Sequence, residues 1–546
     1  MKSNYVFILM ICLCISCKNH SQSKSIDSKE TASLHFSKVD FTKAKISSEP
    51  YSKNFDLHND DYLTIVFTLK KPLVQSLQEL APALSEDELL SKGNFQFSYI
   101  VDGKTIYVEN LNPPAGTKKR KTEELTQVLP LIAPERMNWW GWYMWQRFTK
   151  MNGGLDAFTE GNHLLSIEIR PYLRDGTLKA GPVLAKGSID VKVPKIIIDE
   201  NLVPVQKIQP NSGWKISNAH FNSKKIEGLN RKIAEGRFED INGIVVIKDG
   251  ELLLEEYFNG ATRNDLHDVR SVGKSFASTI VGLAIQEKLI SSENALLKDF
   301  YDLKSYKNYS PKKDSVTLKS LMTMSSGFLA NDWDDESPGT EDKMQATNNW
   351  LKFALDLPMH KNKIIGKDFT YFTGGVHMVG DILHKTVPGG LDSYAKKKLF
   401  DPLGITKHKW FYSPQNTAYA GGGIRLRAID FAKYGQLYKN KGQWNGKQIL
   451  TEEWVEKSLA KQVSQAYIGA EDLYYGYFFW NKTYVVDHKE YEVSFATGNG
   501  GNKIFIFKDI PFVIVITASA YNKPGTGRNA DKMMVDYILP AILKEK

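Results

Sequence analysis

Cysteine is almost absent from this 546-residue chain, and its three cysteines all lie at or before residue 17. The body of the protein therefore has neither a disulfide framework nor a cysteine-rich zinc site. Metal-binding histidine patterns are missing too, because none of the 11 histidines shows a His-x-His or His-Glu-x-x-His spacing. The sequence accordingly predicts no metal ion and no cofactor.

Two patterns that identify common enzyme classes are also missing. No Gly-x-Ser-x-Gly segment occurs, which argues against the nucleophile elbow of an α/β-hydrolase. Gly273-Lys274-Ser275 is similar to the end of a phosphate-binding loop, but Asp268 stands where such a loop needs glycine. No apolar strand precedes it either, so the nucleotide-binding interpretation fails.

Charge of one sign is not concentrated in any part of the chain. The 71 Lys and Arg residues exceed the 62 Asp and Glu residues by only +9, and this excess is spread along the sequence. A diffuse excess of this kind does not predict nucleic acid as a partner. Apolar residues make up 42%, enough for the cores of several soluble domains.

The first residues carry an export pattern. Lys2 precedes a short apolar run at 6–15, which is too short to span a bilayer of ~30 Å as a helix. Ser16-Cys17 after it resembles a bacterial lipoprotein signal, although an ordinary secretory signal is the alternative. The resemblance implies a signal peptide at 1–16, lipid on Cys17 and a solvated tether at 17–54. We then expect an exported protein held by lipid in the cell envelope, on the periplasmic face or the outer surface.

Residues 55–205 are predicted to form a mostly-β, sandwich-like module. Strand-like runs recur along it, and Asp102-Gly103 between two of them predicts a hairpin because both residues tolerate positive φ. An aromatic cluster from Trp139 to Trp145 has two interpretations. It either fills a core or stacks on sugars, and in the second case the module contacts a glycan or the cell wall.

A linker at 204–212 is predicted to lead into a second domain at 213–546. Hairpin patterns lie near both ends of this domain, at 243–254 and 503–516, with helical patterns between them. This arrangement predicts an α+β domain. Its antiparallel sheet would be assembled from both ends, flanked by helices and joined to a helical lobe.

Ser271 and Lys274 are the candidate nucleophile and base of the second domain. The segment from Ser271 onward is helical in pattern, and the three-residue spacing places both side chains on one side of the helix. A serine at a helix N-terminus lies in a positive potential that favours oxyanion charge, and a nearby amine can accept its proton. The pair alone is a weak signal, because Ser271 could simply cap a helix and Lys274 could be a surface charge.

Several segments in a fixed order give the pair more weight. Together they resemble the serine β-lactamase and penicillin-binding-protein family, near its class C-like branch of esterases, D-amino-acid peptidases and aminohexanoate-oligomer hydrolases. The resemblance implies a β-lactamase/transpeptidase-like fold. The segments that carry it are 271–274, 321–328, 369–375, 379–383, 421–435, 444–450 and 496–501.

The resemblance also implies a role for each matching residue. Ser271 would be the acylated nucleophile, Lys274 its base, and Tyr371 the phenol that relays protons. The backbone N–H groups of Ser271 and Asn499 would form the oxyanion hole. Losing one such donor typically costs ~3–4 kcal/mol of transition-state stabilisation.

Two departures from the family pattern bear on the substrate. Thr373 stands in place of an asparagine and lacks its two-ended amide. Ala496 stands where β-lactamases and transpeptidases usually have a cation, ahead of Thr497 and Gly498, which we expect near the substrate together with Thr373. Trp333, in an acidic loop, is predicted either to border the cleft or to be part of an exposed surface.

The sequence therefore predicts a serine hydrolase that cleaves an ester or amide bond of a small or peptide-like substrate through an acyl-enzyme. The departures favour an esterase or amidase over a strict β-lactamase. The alternative is a catalytically silent lipoprotein with the same fold, which binds or senses the cell wall or a peptide.

Overall fold

The computed structural model describes residues 31–39, 51–57, 62–113, 115–133, 140–465, 472–523 and 526–543. The chain divides into two compact units. The first contains Met1–Trp145 and Gly161–Pro194, and the second contains Gln146–Glu160 and Lys195–Lys546. Among the described residues, no helix combines the length and the apolar character that a membrane crossing requires.

The first unit is built on one sheet, which confirms its predicted mostly-β character. Along the sheet the order is β5-β4-β7-β9-β1-β3-β6, with β2 paired to β9 and β8 paired to β7. The strands are Ala32–Ser37 (β1), Asn54–Asp56 (β2), Leu63–Thr68 (β3), Gly93–Val101 (β4), Lys104–Asn110 (β5), Thr126–Ile132 (β6), Gly161–Asp175 (β7), Thr177–Ala180 (β8) and Ala185–Val193 (β9). Four helices accompany them, Leu73–Leu80 (α1), Glu86–Lys92 (α2), Lys118–Thr122 (α3) and Trp140–Gln146 (α4).

Two local predictions for this unit have opposite outcomes. The hairpin at Asp102-Gly103 is confirmed, because β4 and β5 pair across it and the two residues have φ of +49° and +80°. The tether at 17–54 is wrong in part, because β1 belongs to the sheet. Leu34 and Phe36 alternate with polar residues and are buried, which is the pattern of a half-buried strand.

The aromatic cluster is divided between core and surface. Trp145 is buried and its ring contacts Tyr99 edge-on with 6.5 Å between centroids, so this tryptophan fills the core of the first unit. Tyr143 is exposed. Trp139 lies outside the described residues, and glycan contact by this module stays a prediction.

The second unit is built on an eight-stranded antiparallel sheet drawn from both ends of its sequence, as predicted. Its order is β11-β10-β22-β21-β20-β19-β18-β17. These strands are Ile241–Lys248 (β10), Glu251–Tyr257 (β11), Val463–Ser464 (β17), Tyr474–Tyr475 (β18), Trp480–Val486 (β19), Lys489–Gly498 (β20), Asn502–Phe507 (β21) and Phe512–Ala518 (β22). Two small sheets are formed by His267–Asp268 (β12), His408–Trp410 (β13) and Ile424–Leu426 (β14), and by Gln443–Trp444 (β15) and Lys447–Gln448 (β16).

Helices cover this sheet and form the predicted lobe, which confirms the α+β class. In chain order they are Gly154–Ala157 (α5), Ser223–Ala234 (α6), Gly273–Gln286 (α7), Leu318–Met322 (α8), Glu341–Gln345 (α9), Trp350–Asp356 (α10), Thr373–Thr386 (α11), Gly390–Ala395 (α12), Ala428–Lys439 (α13), Glu452–Leu459 (α14), Thr526–Met533 (α15) and Leu539–Ile542 (α16). Of these, α13 packs on the central strands β10, β21 and β22.

The predicted linker at 204–212 is attached to the second unit. Gln206 Nε2 donates to the Tyr257 carbonyl at 2.7 Å, and the Tyr257 N–H donates back to Gln206 Oε1 at 3.0 Å. A side-chain amide thus extends the edge strand β11 in the way that a backbone would. A single side-chain amide that pairs with a strand leaves no hydrophobic pattern in the sequence. The polar composition of this segment therefore suggested a free linker.

The centre of the second unit is the buried helix α7. Every residue from Gly273 to Ala284 is buried. Phe276 stacks on Tyr434 of α13 with 3.8 Å between ring centroids, and Phe431 lies edge-on at 6.0 Å. This aromatic contact fixes α7 against α13, and through it against the sheet.

We predict that Phe276→Ala destabilises the second unit by ~3–5 kcal/mol, because it leaves a cavity between α7 and α13. Urea denaturation followed by tryptophan fluorescence measures the change. Val485→Ala on β19 is the matched control, since Val485 is 56% exposed and its truncation opens no cavity. Equal shifts in the two variants would contradict the central role of this contact.

Candidate active site

The candidate nucleophile lies in a strained turn. β12 leads into a 3₁₀ turn, Arg270–Val272, which continues directly into α7. Arg270 has a φ of +51°, a left-handed conformation that is uncommon for a side chain of its size. Ser271 follows at once, so its side chain and its backbone N–H lie at the start of α7. Strain of this kind is concentrated at functional sites.

The structure brings the candidate base to the nucleophile. Lys274 is 1% exposed, and its Nζ donates hydrogen bonds to Ser271 Oγ and to the carbonyl of Gly421, both at 2.7 Å. The same Nζ lies 5.2 Å from the ring centroid of Tyr371. Ser271, Lys274 and Tyr371 therefore meet in one site, although 97 residues of chain or more separate Tyr371 from the other two.

A glycine turn that the sequence shows only as a motif packs directly against the nucleophile turn. A Cβ on Gly422 would lie 2.8 Å from the carbonyl carbon of Arg270, and one on Gly273 would lie 3.1 Å from the Gly422 Cα. Only residues without side chains allow this approach. The turn thereby presents the Gly421 carbonyl to Lys274, a role that the sequence motif did not reveal.

The ring of Tyr371 is held from the side by a loop tryptophan. Trp333 stacks on Tyr371 with 5.0 Å between centroids and 9° between planes, while 53% of Trp333 stays exposed. Thr373, two residues after Tyr371, is the first residue of α11 and is fully buried. Trp333 is thus part of an exposed surface, as one of its two predicted alternatives held, and it also supports the tyrosine, which the sequence did not predict.

Strand β20 ends beside the nucleophile. A Cβ on Gly498 would lie 2.0 Å from the Val269 carbonyl oxygen and 3.0 Å from the Ser271 nitrogen, so the strand approaches the turn as closely as glycine allows. Asn499 follows and is fixed by Asn522: its Nδ2 donates to Asn522 Oδ1 at 2.7 Å, and its Oδ1 accepts the Asn522 N–H at 2.9 Å. The backbones of Ser271 and Asn499 are therefore held on neighbouring segments.

A cleft of about 430 Å³ opens at this point, and both Ser271 and Asn499 line it. In the part of the chain that the structure describes, Tyr371, Thr373 and Thr497 do not line this cleft. Its walls combine aromatic, amide and oppositely charged side chains. They are formed by Asp268, Arg270, Ser271, Glu341, Asp342, Gln345, Trp350, Phe411, Tyr412, Tyr419, 421–423, Arg425, Asn499 and Asn522.

Asp332 belongs to the site and was not predicted. Its Oδ2 accepts the Thr373 N–H at 2.7 Å, its Oδ1 accepts the Glu341 N–H at 2.8 Å, and its own N–H donates to the Tyr371 carbonyl at 2.8 Å. Burial raises the pKa of Asp332 to about 6, against the lowering effects of Thr373 and of the Lys274 charge. An acidic run in a sequence gives no sign of which carboxylate is buried.

Comparison with known proteins bears on the second unit. The family model described as beta-lactamase matches residues 229–535, which is more than half of the chain. The chain belongs to the β-lactamase family. Its second unit therefore has the β-lactamase/transpeptidase-like fold and is a hydrolase domain of this family, which confirms the resemblance carried by the sequence motifs.

Solved structures of related proteins are similar to this β-lactamase-family chain at low identity. A candidate 6-aminohexanoate-dimer hydrolase from Bacillus anthracis is 22% identical, with 54% of this chain and 78% of that one covered and a TM-score of 0.45. An octameric penicillin-binding protein homologue from Pyrococcus abyssi is 19% identical, with 57% and 76% covered and a TM-score of 0.46. A family VIII carboxylesterase is 14% identical, with 60% and 98% covered and a TM-score of 0.44. No curated protein sequence matches the chain.

We predict that Gly498→Ala lowers kcat/KM for an activated ester by ~10²-fold, the effect of losing one oxyanion donor. The new methyl group would collide with the Val269 carbonyl and push β20 away from Ser271. Hydrolysis of p-nitrophenyl acetate measures the loss. Gly228→Ala on α6 is the matched control, because its methyl group would meet only the Tyr537 ring at 3.6 Å, an ordinary contact. Retained activity in Gly498→Ala would contradict the close approach.

Proposed function

We propose that this chain is a serine hydrolase that cleaves an ester or amide bond through an acyl-enzyme on Ser271. The observation that carries the proposal is the hydrogen bond of 2.7 Å that the buried Lys274 Nζ donates to the Oγ of Ser271, a residue that lines the cleft. A nucleophile and its base within such a distance form the basic unit of covalent acyl transfer. Membership of the β-lactamase family supports the same chemistry.

In the first half of the reaction Ser271 Oγ forms a bond to the substrate's carbonyl carbon. The hydroxyl proton passes to Lys274 Nζ, and the carbonyl oxygen becomes an oxyanion. The backbone N–H groups of Ser271 and Asn499 would stabilise that charge, because fixed donors act on charge as it develops. The bond to the leaving group then breaks, and the leaving group takes a proton from Lys274 by way of Tyr371.

In the second half a water molecule attacks the acyl-enzyme. Its proton passes to the same Lys274–Tyr371 pair and then to Ser271 Oγ, while the acid leaves. Lys274 Nζ lies 5.2 Å from the centroid of the Tyr371 ring, so the two groups of this relay are adjacent. General acid–base steps of this kind typically contribute 10²–10⁴-fold to the rate.

The charges around the cleft favour substrates without a carboxylate next to the scissile bond. Ala496 supplies no cation on β20. The cleft contains Arg270 and Arg425, but Asp268 lies 3.6 Å from the first and 3.0 Å from the second, so part of their charge is already neutralised. A substrate carboxylate would have to compete with Asp268. We therefore place neutral esters and amides ahead of β-lactams.

A silent binding protein is the alternative that the sequence suggested, since Thr373 and Ala496 depart from the family pattern. The hydrogen bond between Ser271 and Lys274 favours the hydrolase, because it places a base directly against a nucleophile.

We predict that Ser271→Ala lowers turnover of p-nitrophenyl acetate by at least ~10³-fold, since it removes the attacking oxygen. Intact-mass spectrometry should show one covalent adduct of a fluorophosphonate on the parent chain and none on Ser271→Ala. Ser275→Ala is the matched control, because Ser275 lies one turn along α7 and its hydroxyl donates to the Val272 carbonyl. An adduct that persists in Ser271→Ala would refute the assignment of the nucleophile.

We also propose that the chain is exported and held in the cell envelope by lipid on Cys17. Cys17 lies outside the described residues, and the proposal is supported by the apolar run at 6–15 and the small residue before the cysteine. A diacylated chain stays with the membrane, whereas an unmodified one does not.

We predict that Cys17→Ser moves the protein from the membrane fraction to the soluble fraction of a bacterial host and abolishes incorporation of labelled palmitate. Cys14→Ser is the matched control, because Cys14 lies within the signal and would be removed with it. If both variants keep their label, or if the parent never acquires one, the lipid anchor is wrong.

A further inference from the structure

Helix α11 begins without a side-chain cap of its own. The preceding residue is Phe372, which has no acceptor, whereas Thr340, Asn349 and Thr451 cap the helices that follow them. The carboxylate of Asp332, 41 residues earlier in the chain, accepts the Thr373 N–H instead. A carboxylate at this place also meets the positive end of the helix dipole.

The same aspartate is bound to the segment that carries the tyrosine. Its N–H donates to the Tyr371 carbonyl, and its Oδ1 accepts the Glu341 N–H, so Asp332 joins the segment 371–373 to the start of α9. The next residue, Trp333, stacks on the Tyr371 ring. Any shift of Asp332 therefore moves Tyr371 relative to Lys274.

Four charged or titratable groups face Asp332. In its charged form Lys274 attracts this carboxylate, and Glu341 on α9 repels it. Tyr419, whose hydroxyl donates to Glu341, feels the charge of both carboxylates. Tyr371 is joined to Asp332 through its backbone. Of these neighbours, Lys274 is the only cation.

We propose that Asp332 is a positioning residue for acyl transfer: it fixes the turn at 371–373, and its carboxylate stabilises the positive charge that Lys274 gains when it accepts the Ser271 proton. This inference rests on the proposed function. A nucleophile and its base commonly depend on a third group that orients the base and stabilises its charged form. Protonated Asp332 is uncharged and cannot stabilise the charge on Lys274. The reaction therefore slows as the pH falls and Asp332 becomes protonated.

The test is the pH dependence of kcat/KM for p-nitrophenyl acetate. In the parent enzyme we expect an acid inflection near pH 6, where Asp332 loses its proton. Asp332→Asn should lose that inflection and lower kcat by ~10-fold above it, while KM changes less than twofold. Asp335→Asn is the matched control, since it removes one charge from an exposed position of the same loop and should keep the inflection.

Circular dichroism and thermal unfolding would reveal whether Asp332→Asn misfolds. A second variant keeps the inference testable in that case. The charge of Glu341 raises the pKa of Asp332, so Glu341→Gln should move the acid inflection to lower pH. Glutamine keeps an oxygen for the Tyr419 hydroxyl, and the backbone N–H that Asp332 accepts is unchanged.

The outcomes separate this inference from the function on which it rests. An inactive Ser271→Ala together with a parent-like pH profile in Asp332→Asn and Glu341→Gln overturns the role of Asp332 and leaves the hydrolase intact. A uniform loss of activity in Asp332→Asn, with the inflection unmoved, shows a purely structural role and also overturns it. An active Ser271→Ala overturns both proposals.

Discussion

The geometry of the site depends on one buried amine. Lys274 is almost completely removed from water, and its Nζ is satisfied by Ser271 Oγ and the Gly421 carbonyl. Leaving a buried donor without a partner costs ~1–3 kcal/mol or more, so the nucleophile turn and the glycine turn must keep their relative positions. The helix that carries Lys274 is itself buried from Gly273 to Ala284. The position of Lys274 Nζ beside Ser271 is therefore set by core packing, which is stiffer than a loop.

Close packing around this amine requires positions without side chains. Gly422 approaches the backbone of Arg270 from one side, and Gly498 approaches Val269 from the other. The nucleophile turn is thus enclosed between a loop and a strand edge, with little room to relax. This enclosure explains how a left-handed Arg270 persists, because the surrounding backbone leaves no alternative conformation. On the remaining side Tyr371 is supported by the stacked ring of Trp333 and by Asp332, which lies about 40 residues earlier in the chain. The site is therefore assembled from several separate parts of the second unit.

Local patterns in the sequence were sufficient for the fold class and for the proximity of Ser271 and Lys274, because hairpins and a three-residue helical spacing involve residues close together in the chain. They were insufficient for contacts across it. The bond from Lys274 to the Gly421 carbonyl spans 147 residues, and that from Thr373 to Asp332 spans 41. Backbone carbonyls carry no sequence signal, and a half-buried aspartate cannot be told from an exposed one in the sequence. The missed strand β1 has a further cause: the Ser/Lys-rich composition around it outweighed a short alternation of buried residues.

The absence of a cation at Ala496 is not compensated by its neighbours on the sheet. Lys503 pairs in register with Thr497, and Lys482 lies on the adjacent strand, but both form ion pairs with Asp531, at 2.6 Å and 2.9 Å. Burial and the charge of Lys503 lower the pKa of Lys482 to about 8. Burial alone would raise the pKa of Asp531, yet the two lysines outweigh it and hold that pKa at about 2. Asp531 therefore stays ionised at any pH at which the enzyme works, and it retains both lysines. Neither lysine therefore replaces the cation that is missing at Ala496, a position that is itself buried.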